Sequence, residues 1–289
     1  MKRPSIVCIV FLIVISITTV SSSPDHGEVE DETEFSYEKG GEKGPEKWGT
    51  LKPEWKMCGN GTMQSPIDLT DKRVFIDHNL GPLRSHYLPS NATIKNRGHD
   101  IMLEFEGGNA GIGITINGTV YQLQQLHWHS PSEHTINGKR FVLEEHMVHQ
   151  SKDGRFAVVA FLYSLGRPDS FLLSLERQLK RITDAHESED FVSLIDPRAV
   201  NFKTKFYYRY LGSLTTPPCS ENVTWSISRE MRTVTLEQLN LLRVSVHDVS
   251  DSNLLFFFKL TVRRCDNQSN TNARPLQRQN GRPVKFYLP

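Results

Sequence analysis

Cysteine is scarce in this sequence, and neither sign of charge is in excess. Four of the 289 residues are cysteine, and 34 basic residues against 33 acidic ones leave a net charge of +1. This balance gives no indication of a nucleic-acid partner. Beyond the N-terminal leader the sequence has no hydrophobic run long enough to span a bilayer, no repeat and no low-complexity linker. These absences favour one folded domain, which we expect over residues 35–289.

The leader itself has the layout of a secretory signal peptide, which we expect over residues 1–22. Lys2 and Arg3 precede an apolar run at residues 6–20, and small serines follow. The run is shorter than the roughly 20 residues that a spanning helix needs, which favours a cleaved leader over the alternative of a retained anchor. We therefore expect no transmembrane anchor in the mature chain and a location in the secretory pathway, ending outside the cell.

An acidic lead-in is expected at residues 23–34, between the leader and the domain. The stretch "PDHGEVEDETE" carries six acidic residues and one apolar residue, Val29. Such a composition cannot bury enough apolar surface to fold, so we expect this segment to be disordered.

Loss of the leader removes Cys8 and leaves Cys58, Cys219 and Cys265 in an oxidising compartment. Three cysteines allow one disulfide and leave one thiol over. Five sequons are individually weak signals that agree with a secreted glycoprotein. The candidate glycosylation sites are Asn60, Asn91, Asn117, Asn222 and Asn267.

The hydrophobic pattern predicts a mainly β domain with a few peripheral helices. Ile112, Ile114 and Ile116 alternate before an "NG" turn at residues 117–118, which is typical of a hairpin. The segments "KRFVLEEHMVHQ" and "RFAVVAFLYSL" predict two further strands, separated by the turn "SKDG". Short helices are expected at residues 172–182 and from Thr235, where Gln238 could complete a capping box.

The stretch "QLHWHSPSEH" at residues 125–134 raises the question of a metal site. On a strand His127 and His129 point to the same face, and His146 on the next long strand could return beside them. Three neutral imidazoles leave one tetrahedral position open, as in catalytic zinc sites. For the neighbouring His134 and His149 we expect half-buried, hydrogen-bonded side chains instead.

Histidines that bind zinc need acceptors for their second ring nitrogen. Gln125 shares the strand face of His127. Glu145 lies beside His146 but on the opposite face by simple alternation, so periodicity leaves its role open.

A cupin is an alternative, because "HWHSPSEH" has the H-x-H-x-x-x-E spacing, although the glycines that accompany it in cupins are missing. Such a site would use Glu133 and often takes manganese or iron.

Eight separated motifs occur in the order found in one enzyme family. They are "FSY" (35–37), "GPEKW" (44–48), "QSPIDL" (64–69), "NRGHD" (96–100), "QLHWHSPSEHT" (125–135), "EEHMVH" (144–149), "LGSLTTPPCSENVTW" (211–225) and "NARPLQ" (272–277). From about Phe35 to Tyr287 the sequence thus resembles the alpha-class carbonic anhydrases, particularly their plant members. The resemblance implies a single domain with a large, mostly antiparallel twisted central sheet and short peripheral helices.

The resemblance also implies a set of metal-binding residues. His127, His129 and His146 match the ligands of one Zn²⁺ per chain. Gln125, Glu145 and Asn272 match the residues that orient these ligands, with Glu145 directed toward His146. Cys58 and Cys219 match the family's disulfide, which leaves Cys265 free or paired between chains.

Further residues match the catalytic apparatus of the family. Thr215 matches the threonine that donates a hydrogen bond to a buried glutamate, here Glu133, and orients the zinc-bound hydroxide. His99 matches a proton shuttle, with Arg97 and Asp100 shifting its pKa in opposite directions. The positions that match contacts to the substrate are Thr215, Thr216, Val148, Leu214, Val223 and Trp225.

The implied activity is the reversible hydration of carbon dioxide to bicarbonate and a proton. Zinc-bound hydroxide attacks the substrate, and a histidine returns the released proton to solvent. Sulfonamides and anions are the implied inhibitors, and the chain is expected to be a monomer or a dimer. Resemblance to plant members adds the plastid stroma, reached through the secretory route, as an alternative location. A non-enzymatic binding or storage protein on the same fold is the remaining alternative, although no ligand histidine is missing.

Overall fold

The computed structural model of the chain describes residues 34–106, 113–183, 188–200, 204–244 and 271–289. Several predicted features lie outside these residues. They are the signal peptide, the acidic lead-in up to residue 33, Ile112, Cys265 and Asn267.

Strands make up most of the regular structure in the described part of the chain, and the helices are few and mostly short. The strands are β1 (Asp68–Leu69), β2 (Val74–Ile76), β3 (Arg84–His86), β4 (Ser90–Asn96), β5 (Ile101–Phe105), β6 (Gly113–Ile116), β7 (Thr119–His129), β8 (Thr135–Ile136), β9 (Lys139–Arg140), β10 (Leu143–Ser151), β11 (Phe156–Leu165), β12 (Glu189–Ile195), β13 (Tyr207–Ser213), β14 (Glu221–Ser228), β15 (Arg232–Val234) and β16 (Val284–Tyr287). The α-helices are α1 (Trp48–Leu51), α2 (Met57–Asn60), α3 (Ser170–Ile182) and α4 (Leu236–Val244).

One large sheet organises the molecule. Its 13 strands run in the order β12-β4-β5-β7-β10-β11-β14-β13-β16-β2, with β15, β6 and β3 attached at the side, and β1, β8 and β9 form a separate small sheet. In the large sheet β11 pairs in parallel with β14 and β15, as does β16 with β2, while the other neighbours are antiparallel. The fold is therefore mainly β with a large, mostly antiparallel central sheet, as predicted.

The predicted hairpins and helices are present. Asn117 and Gly118 have φ values of 49° and 78°, the left-handed conformation that an "NG" turn between β6 and β7 requires. Strands β10 and β11 pair antiparallel around the "SKDG" turn. At α4 the Thr235 hydroxyl accepts from the Gln238 N–H at 3.2 Å and Gln238 Oε1 accepts from the Thr235 N–H at 3.3 Å, which completes the capping box.

The two faces of the large sheet have different neighbours. Strand alternation turns Met147 of β10 to a large apolar core that includes Leu175 of α3. It turns His146 and Val148 to the other face, where Val148 packs in a smaller core with Trp225. The metal-binding candidates thus lie on the face away from α3.

Strand β7 contains a bulge just before the candidate histidines. Val148 of β10 faces Gln125, whereas the next residue, His149, faces Leu123. The extra residue, Gln124, resets the alternation, so that Leu123 turns to the large apolar core while Gln125 and His127 turn to the opposite face. Among the described residues no helix is both long and apolar enough to cross a bilayer.

Candidate metal centre

Three histidines converge on the face of the large sheet that points away from α3. Neighbouring strands β7 and β10 place His146 directly opposite His127, and His129 follows two residues later on the same face. The ring centroids of the three pairs lie 5.0, 5.0 and 4.6 Å apart, and all three side chains are buried. The described residues thus bring together the three predicted ligands.

Hydrogen bonds fix the tautomers of the two histidines of β7. His127 Nδ1 lies 2.7 Å from Gln125 Oε1, and His129 Nδ1 lies 2.7 Å from the backbone oxygen of Asn272. Both oxygens can only accept, so each Nδ1 carries the proton. The Nε2 atoms of these two histidines are left with free lone pairs.

In His146 the hydrogen-bonded ring nitrogen is Nε2 instead of Nδ1, and its partner is Glu144. Its Nε2 lies 2.8 Å from Glu144 Oε1, so this nitrogen donates and Nδ1 keeps the lone pair. His146 Nδ1 lies 3.2 Å from His127 Nε2. Two nitrogens at this separation can both reach one zinc ion at about 2.0–2.1 Å.

The expectation that Glu145 orients His146 is wrong, and Glu144 takes that role. Glu145 turns to the opposite face, where its Oε2 accepts from the Tyr163 hydroxyl and from Arg232 Nη1 at 3.2 Å. Burial raises the pKa of Glu145 to about 7, although Arg232 opposes the shift. The signal that could have identified Glu144 is its spacing of two residues from His146, which on a strand means the same face.

The pKa shifts favour the neutral, ligating form at two of the three histidines. Burial would raise the pKa of Glu144, but His134 and His146 lower it well below its ordinary value, so this carboxylate is charged. Burial lowers the pKa of His127 and of His146, which favours their neutral, ligating forms. At His129 burial acts in the same direction, but Glu133 and the Asn272 carbonyl outweigh it and raise the pKa.

The donor set fits zinc. His129 Nε2 is buried without a hydrogen-bond partner among the described residues, as expected for a nitrogen directed at an ion. Three imidazole lone pairs with their second nitrogens hydrogen-bonded match the donors that catalytic zinc prefers. His134, Glu144 and His146 form a second close group. Its members are already hydrogen-bonded to one another, so it is a polar network rather than a second ion site.

Glu133 lies beside the triad but lacks the expected bond to Thr215. Its Oε1 accepts from the Arg274 N–H at 2.8 Å. Its Oε2 lies 3.7 Å from His129 Nε2 and has no hydrogen-bond donor among the described residues. Thr215 is buried, and so is Thr216, whose Oγ1 also has no hydrogen-bond partner in the described part of the chain. The Thr215–Glu133 hydrogen bond therefore stays a prediction.

An apolar wall borders the imidazoles. Val148, Leu214, Val223 and Trp225 are all buried in one core cluster. The Trp225 ring centroid lies 4.9 Å from that of His146. The four apolar residues among those proposed to contact the substrate thus lie in one cluster, and Trp225 of this cluster lies next to one ligand.

The pKa of His99, which matches the proton shuttle, is lowered by burial. Its side chain is buried against Phe35, with ring centroids 5.0 Å apart. Burial lowers its pKa to about 4; Asp100 raises it and Arg97 lowers it further, as their charges suggest. Arg97 and Asp100 form a buried ion pair with each other. Their opposite charges therefore act on the pKa of the imidazole in opposite directions.

Asn272 and the disulfide tie distant segments to the centre. The Asn272 side chain donates to the backbone oxygens of His99 and Trp128, each at 3.0 Å, and accepts from the Ser130 N–H at 2.7 Å.

The Cys58–Cys219 disulfide is present and confirms the pairing that the resemblance implied. Closing a loop of 161 residues stabilises the fold by about 5 kcal/mol in the chain-entropy model.

His134 and His149 are fully buried rather than half-buried. His149 lies 2.8 Å from the Tyr87 hydroxyl and 3.2 Å from the Ala157 carbonyl oxygen.

Sequence reasoning missed one further polar group beside the centre, the hydroxyl of Tyr210, which lies 2.7 Å from His134 Nε2. No local pattern singles it out, because its partners, His134 and Ser65, lie far away in the sequence and outside the strands.

Comparisons with known proteins agree with this geometry. The family profile of the eukaryotic-type carbonic anhydrases matches residues 43–287. Alpha carbonic anhydrase 5 of Arabidopsis thaliana is 73% identical over 289 residues, which cover 100% of this chain and 98% of the relative.

Two solved structures have the same fold. The crystal structure of dioscorin complexed with ascorbate matches with a TM-score of 0.77 and 41% identity, covering 88% of this chain and 97% of dioscorin. The alpha carbonic anhydrase of Thermovibrio ammonificans, in complex with the inhibitor sulfanilamide, matches with a TM-score of 0.72 and 32% identity, covering 87% and 98%. The chain belongs to the eukaryotic-type, alpha-class carbonic anhydrases, a family of enzymes, and is similar to its plant members.

Proposed function

We propose that this carbonic anhydrase hydrates carbon dioxide reversibly with one Zn²⁺ per chain, held by His127, His129 and His146. The observation that supports this most is the commitment of one nitrogen on each ring to an acceptor, which leaves three free ring nitrogens within 4.8 Å of one another. Bound zinc supplies a nucleophile at neutral pH by acidifying its coordinated water, as is established for carbonic anhydrases themselves.

The chain orients the reacting oxygen through a proton held at Thr215. Glu133 Oε2 is a buried acceptor without a donor among the described residues. Thr215 does not bond to it in this structure, but a buried carboxylate oxygen requires a donor, and we assign the Thr215 Oγ1–H to it in the zinc-bound protein. Thr215 Oγ1 can then only accept, which fixes the direction of a hydrogen bond from the attacking oxygen. Thr216 Oγ1, also buried without a partner in the described chain, is available to bicarbonate.

The apolar wall binds the substrate and excludes water. Carbon dioxide has no net dipole and no hydrogen to donate, so it gains most from contact with Val148, Leu214, Val223 and Trp225. Bicarbonate is charged and is poorly held by such a wall, which favours its release. The wall formed by these four side chains thereby favours the binding of carbon dioxide over the binding of bicarbonate.

The proton leaves through His99 after its ring moves away from Phe35. In the buried position the pKa of about 4 makes this imidazole a poor acceptor at neutral pH. Contact with water would remove the burial that depresses the pKa. Both ring nitrogens lack hydrogen-bond partners among the described residues, so rotation breaks no bond within them.

The setting that we propose is the secretory pathway, ending outside the cell or, alternatively, in the plastid stroma. The sequons at Asn60, Asn91, Asn117 and Asn222 are exposed, which makes them accessible to glycosylation. We propose monomers or dimers, with sulfonamides and anions as inhibitors. A related alpha carbonic anhydrase binds sulfanilamide, which supports the inhibitor class.

Stopped-flow carbon dioxide hydration tests the proposal. His127→Ala should lose activity, because a zinc site with two protein ligands is held poorly. His86→Ala removes an exposed histidine on β3 and should retain native activity. A sulfonamide should inhibit the native protein. Native hydration rates in the His127→Ala protein would refute the assignment.

A further inference from the structure

A chain of hydrogen bonds leads from His146 into the protein, away from the ion. His146 Nε2 and His134 Nδ1 both contact Glu144 Oε1, at 2.8 and 2.7 Å. Glu144 Oε2 accepts from the backbone N–H of His134, also at 2.7 Å. The remaining ring nitrogen of His134, Nε2, lies 2.7 Å from the hydroxyl of Tyr210 on β13. One metal ligand is thus connected to a residue three strands away in the sheet.

The same chain continues to the strand end that precedes Thr215. The Tyr210 hydroxyl lies 2.7 Å from Ser65 Oγ. Ser65 and Ser213 bind each other reciprocally: the Ser213 N–H donates to Ser65 Oγ at 3.0 Å, and the Ser65 N–H donates to Ser213 Oγ at 2.9 Å. The Ser213 hydroxyl then donates to the carbonyl oxygen of Leu214 at 2.7 Å. Two residues after Ser213 comes Thr215.

The direction of each bond follows from the acceptors. Glu144 Oε2 accepts from a backbone N–H and Oε1 faces two ring nitrogens, so the carboxylate is the acceptor and His134 donates from Nδ1. With the ring proton of His134 on Nδ1, Nε2 is the atom left to accept, and Tyr210 is the group that donates to it. The Tyr210 oxygen accepts from the Ser65 hydroxyl in turn. Every proton in the chain has one consistent position.

Close packing supports the connection. The rings of Tyr210 and Trp225 are stacked with an interplanar angle of 11°, and the Trp225 Nε1–H donates to the Ser213 carbonyl oxygen at 2.9 Å. Between Tyr210 and Ser213, a Cβ on Gly212 would lie 2.2 Å from Ser65 Oγ and 2.7 Å from the Tyr210 ring. A glycine is therefore required for Ser65 to approach the strand.

We propose that Tyr210 is a positioning residue that couples the zinc ligand His146 to the segment carrying Thr215. This inference rests on the proposed zinc site. Without the Tyr210 hydroxyl, His134 Nε2 is buried with no donor. Transfer of the ring proton to Nε2 would then turn a lone pair toward Glu144 and displace the carboxylate that orients His146. The same deletion removes one of the two hydrogen bonds of the Ser65 hydroxyl oxygen, the other being the bond from the Ser213 N–H.

Zinc release from the full-length holoprotein to a chelator tests the coupling in Tyr210→Phe. The matched control is Tyr208→Phe, which removes a hydroxyl from the same strand and the same face, one that donates to Asp71 instead. We expect zinc release to be about tenfold faster in Tyr210→Phe, at the lower end of what is found for direct partners of zinc ligands. Tyr208→Phe should release zinc within about twofold of the native rate.

The outcomes separate this inference from the proposed function. If native protein retains zinc and the two tyrosine variants release it equally fast, Tyr210 has no positioning role and the zinc site stands. Native protein that holds no zinc would overturn both. Should Tyr210→Phe not fold, Ser65→Ala replaces it, and release no faster than in Tyr208→Phe would again contradict the coupling. Because the Tyr210 hydroxyl makes two buried hydrogen bonds and the Tyr208 hydroxyl one partly buried bond, urea unfolding of both variants is measured as well, and faster release that scales with lost stability alone would contradict the coupling.

Discussion

Each histidine of the centre donates from one ring nitrogen and keeps a lone pair on the other, but the three acceptors differ. Gln125 offers an amide oxygen, Asn272 a backbone carbonyl and Glu144 a carboxylate. A charged acceptor makes the stronger hydrogen bond and increases the basicity of the ring more. We therefore expect His146 to be the strongest donor of the three ligands.

Thr215→Ala should retain zinc and lose most of its turnover. The substitution leaves the three imidazoles intact but removes the hydroxyl that orients the attacking oxygen. Misorientation of a reacting group costs on the order of 100-fold in rate. Zinc content and carbon dioxide hydration are measured on the same sample, with Thr215→Ser as the control that restores the hydroxyl. A native rate in Thr215→Ala would show that the proposed bond to Glu133 has no role.

His99→Ala should lower kcat by about tenfold in weak buffer and leave kcat/KM nearly unchanged, because proton export comes after bicarbonate formation. Added imidazole should restore part of kcat by acting as a diffusible acceptor. Stopped-flow measurements at several buffer concentrations provide both constants. Equal kcat values for the variant and the native protein in weak buffer would exclude His99 as the carrier.

Single residues were predictable where chemistry and strand period coincide. The H-x-H pattern identifies His127 and His129, and the same period places Glu144, not Glu145, on the face of His146. The low pKa of His99 could not be predicted, because it arises from burial beneath Phe35. Burial of this kind depends on contacts between segments far apart in the sequence.

At the scale of elements, the centre depends on the pairing of β7 with β10. Alternation predicts which side chains share a face, but not that His146 lies opposite His127. That register also depends on the bulge near Gln125, for which the sequence offers no turn residue or glycine as a signal. The hairpin between β6 and β7 was predictable because its "NG" turn is a local feature.

Gln238→Ala should reduce stability by roughly 2–3 kcal/mol, since it removes several partly buried hydrogen bonds. Besides capping α4, Gln238 accepts from the Asp169 N–H at 2.9 Å and donates to the Asp169 carbonyl at 2.8 Å. It thereby joins the starts of α3 and α4. Urea unfolding measures the loss, and Asn240→Ala, an exposed position on α4, is the control. A loss no larger than that of the control would contradict the double role.

At the scale of the whole molecule, buried imidazoles make stability depend on pH. Burial lowers the pKa of His149 to about 4. In the unfolded chain the ordinary value is about 6.5, so between these values the unfolded state binds a proton that the folded state does not. Stability contributed by neutral His149 is complete above about pH 6.5 and decreases by up to about 1.4 kcal/mol per pH unit as the pH falls toward 4. His99 acts in the same direction.

His149→Gln isolates this contribution. Glutamine can still hydrogen-bond but does not titrate, so the free energy of unfolding should decrease less steeply from pH 6.5 to 4, by about one proton. Urea unfolding at four pH values in this window provides the slopes. Parallel curves for variant and native protein would show that His149 is not the titrating group.

The overall class of the fold was predictable, whereas the assembly of the site was only partly so. Strands, turns and two helices follow from local periodicity. Asn272, however, reaches His129 across a separation of 143 residues, and Ser65 reaches Ser213 across 148. Contacts of this kind follow from the order of strands in the sheet, which periodicity does not specify.

Zinc re-addition tests the central claim most directly. Protein stripped by a chelator is titrated with Zn²⁺ while carbon dioxide hydration is measured at each step. We predict a linear return of activity that ends at one zinc per chain, because His127, His129 and His146 form one site. Activity that persists in the stripped protein, or full zinc occupancy without hydration, would contradict the account.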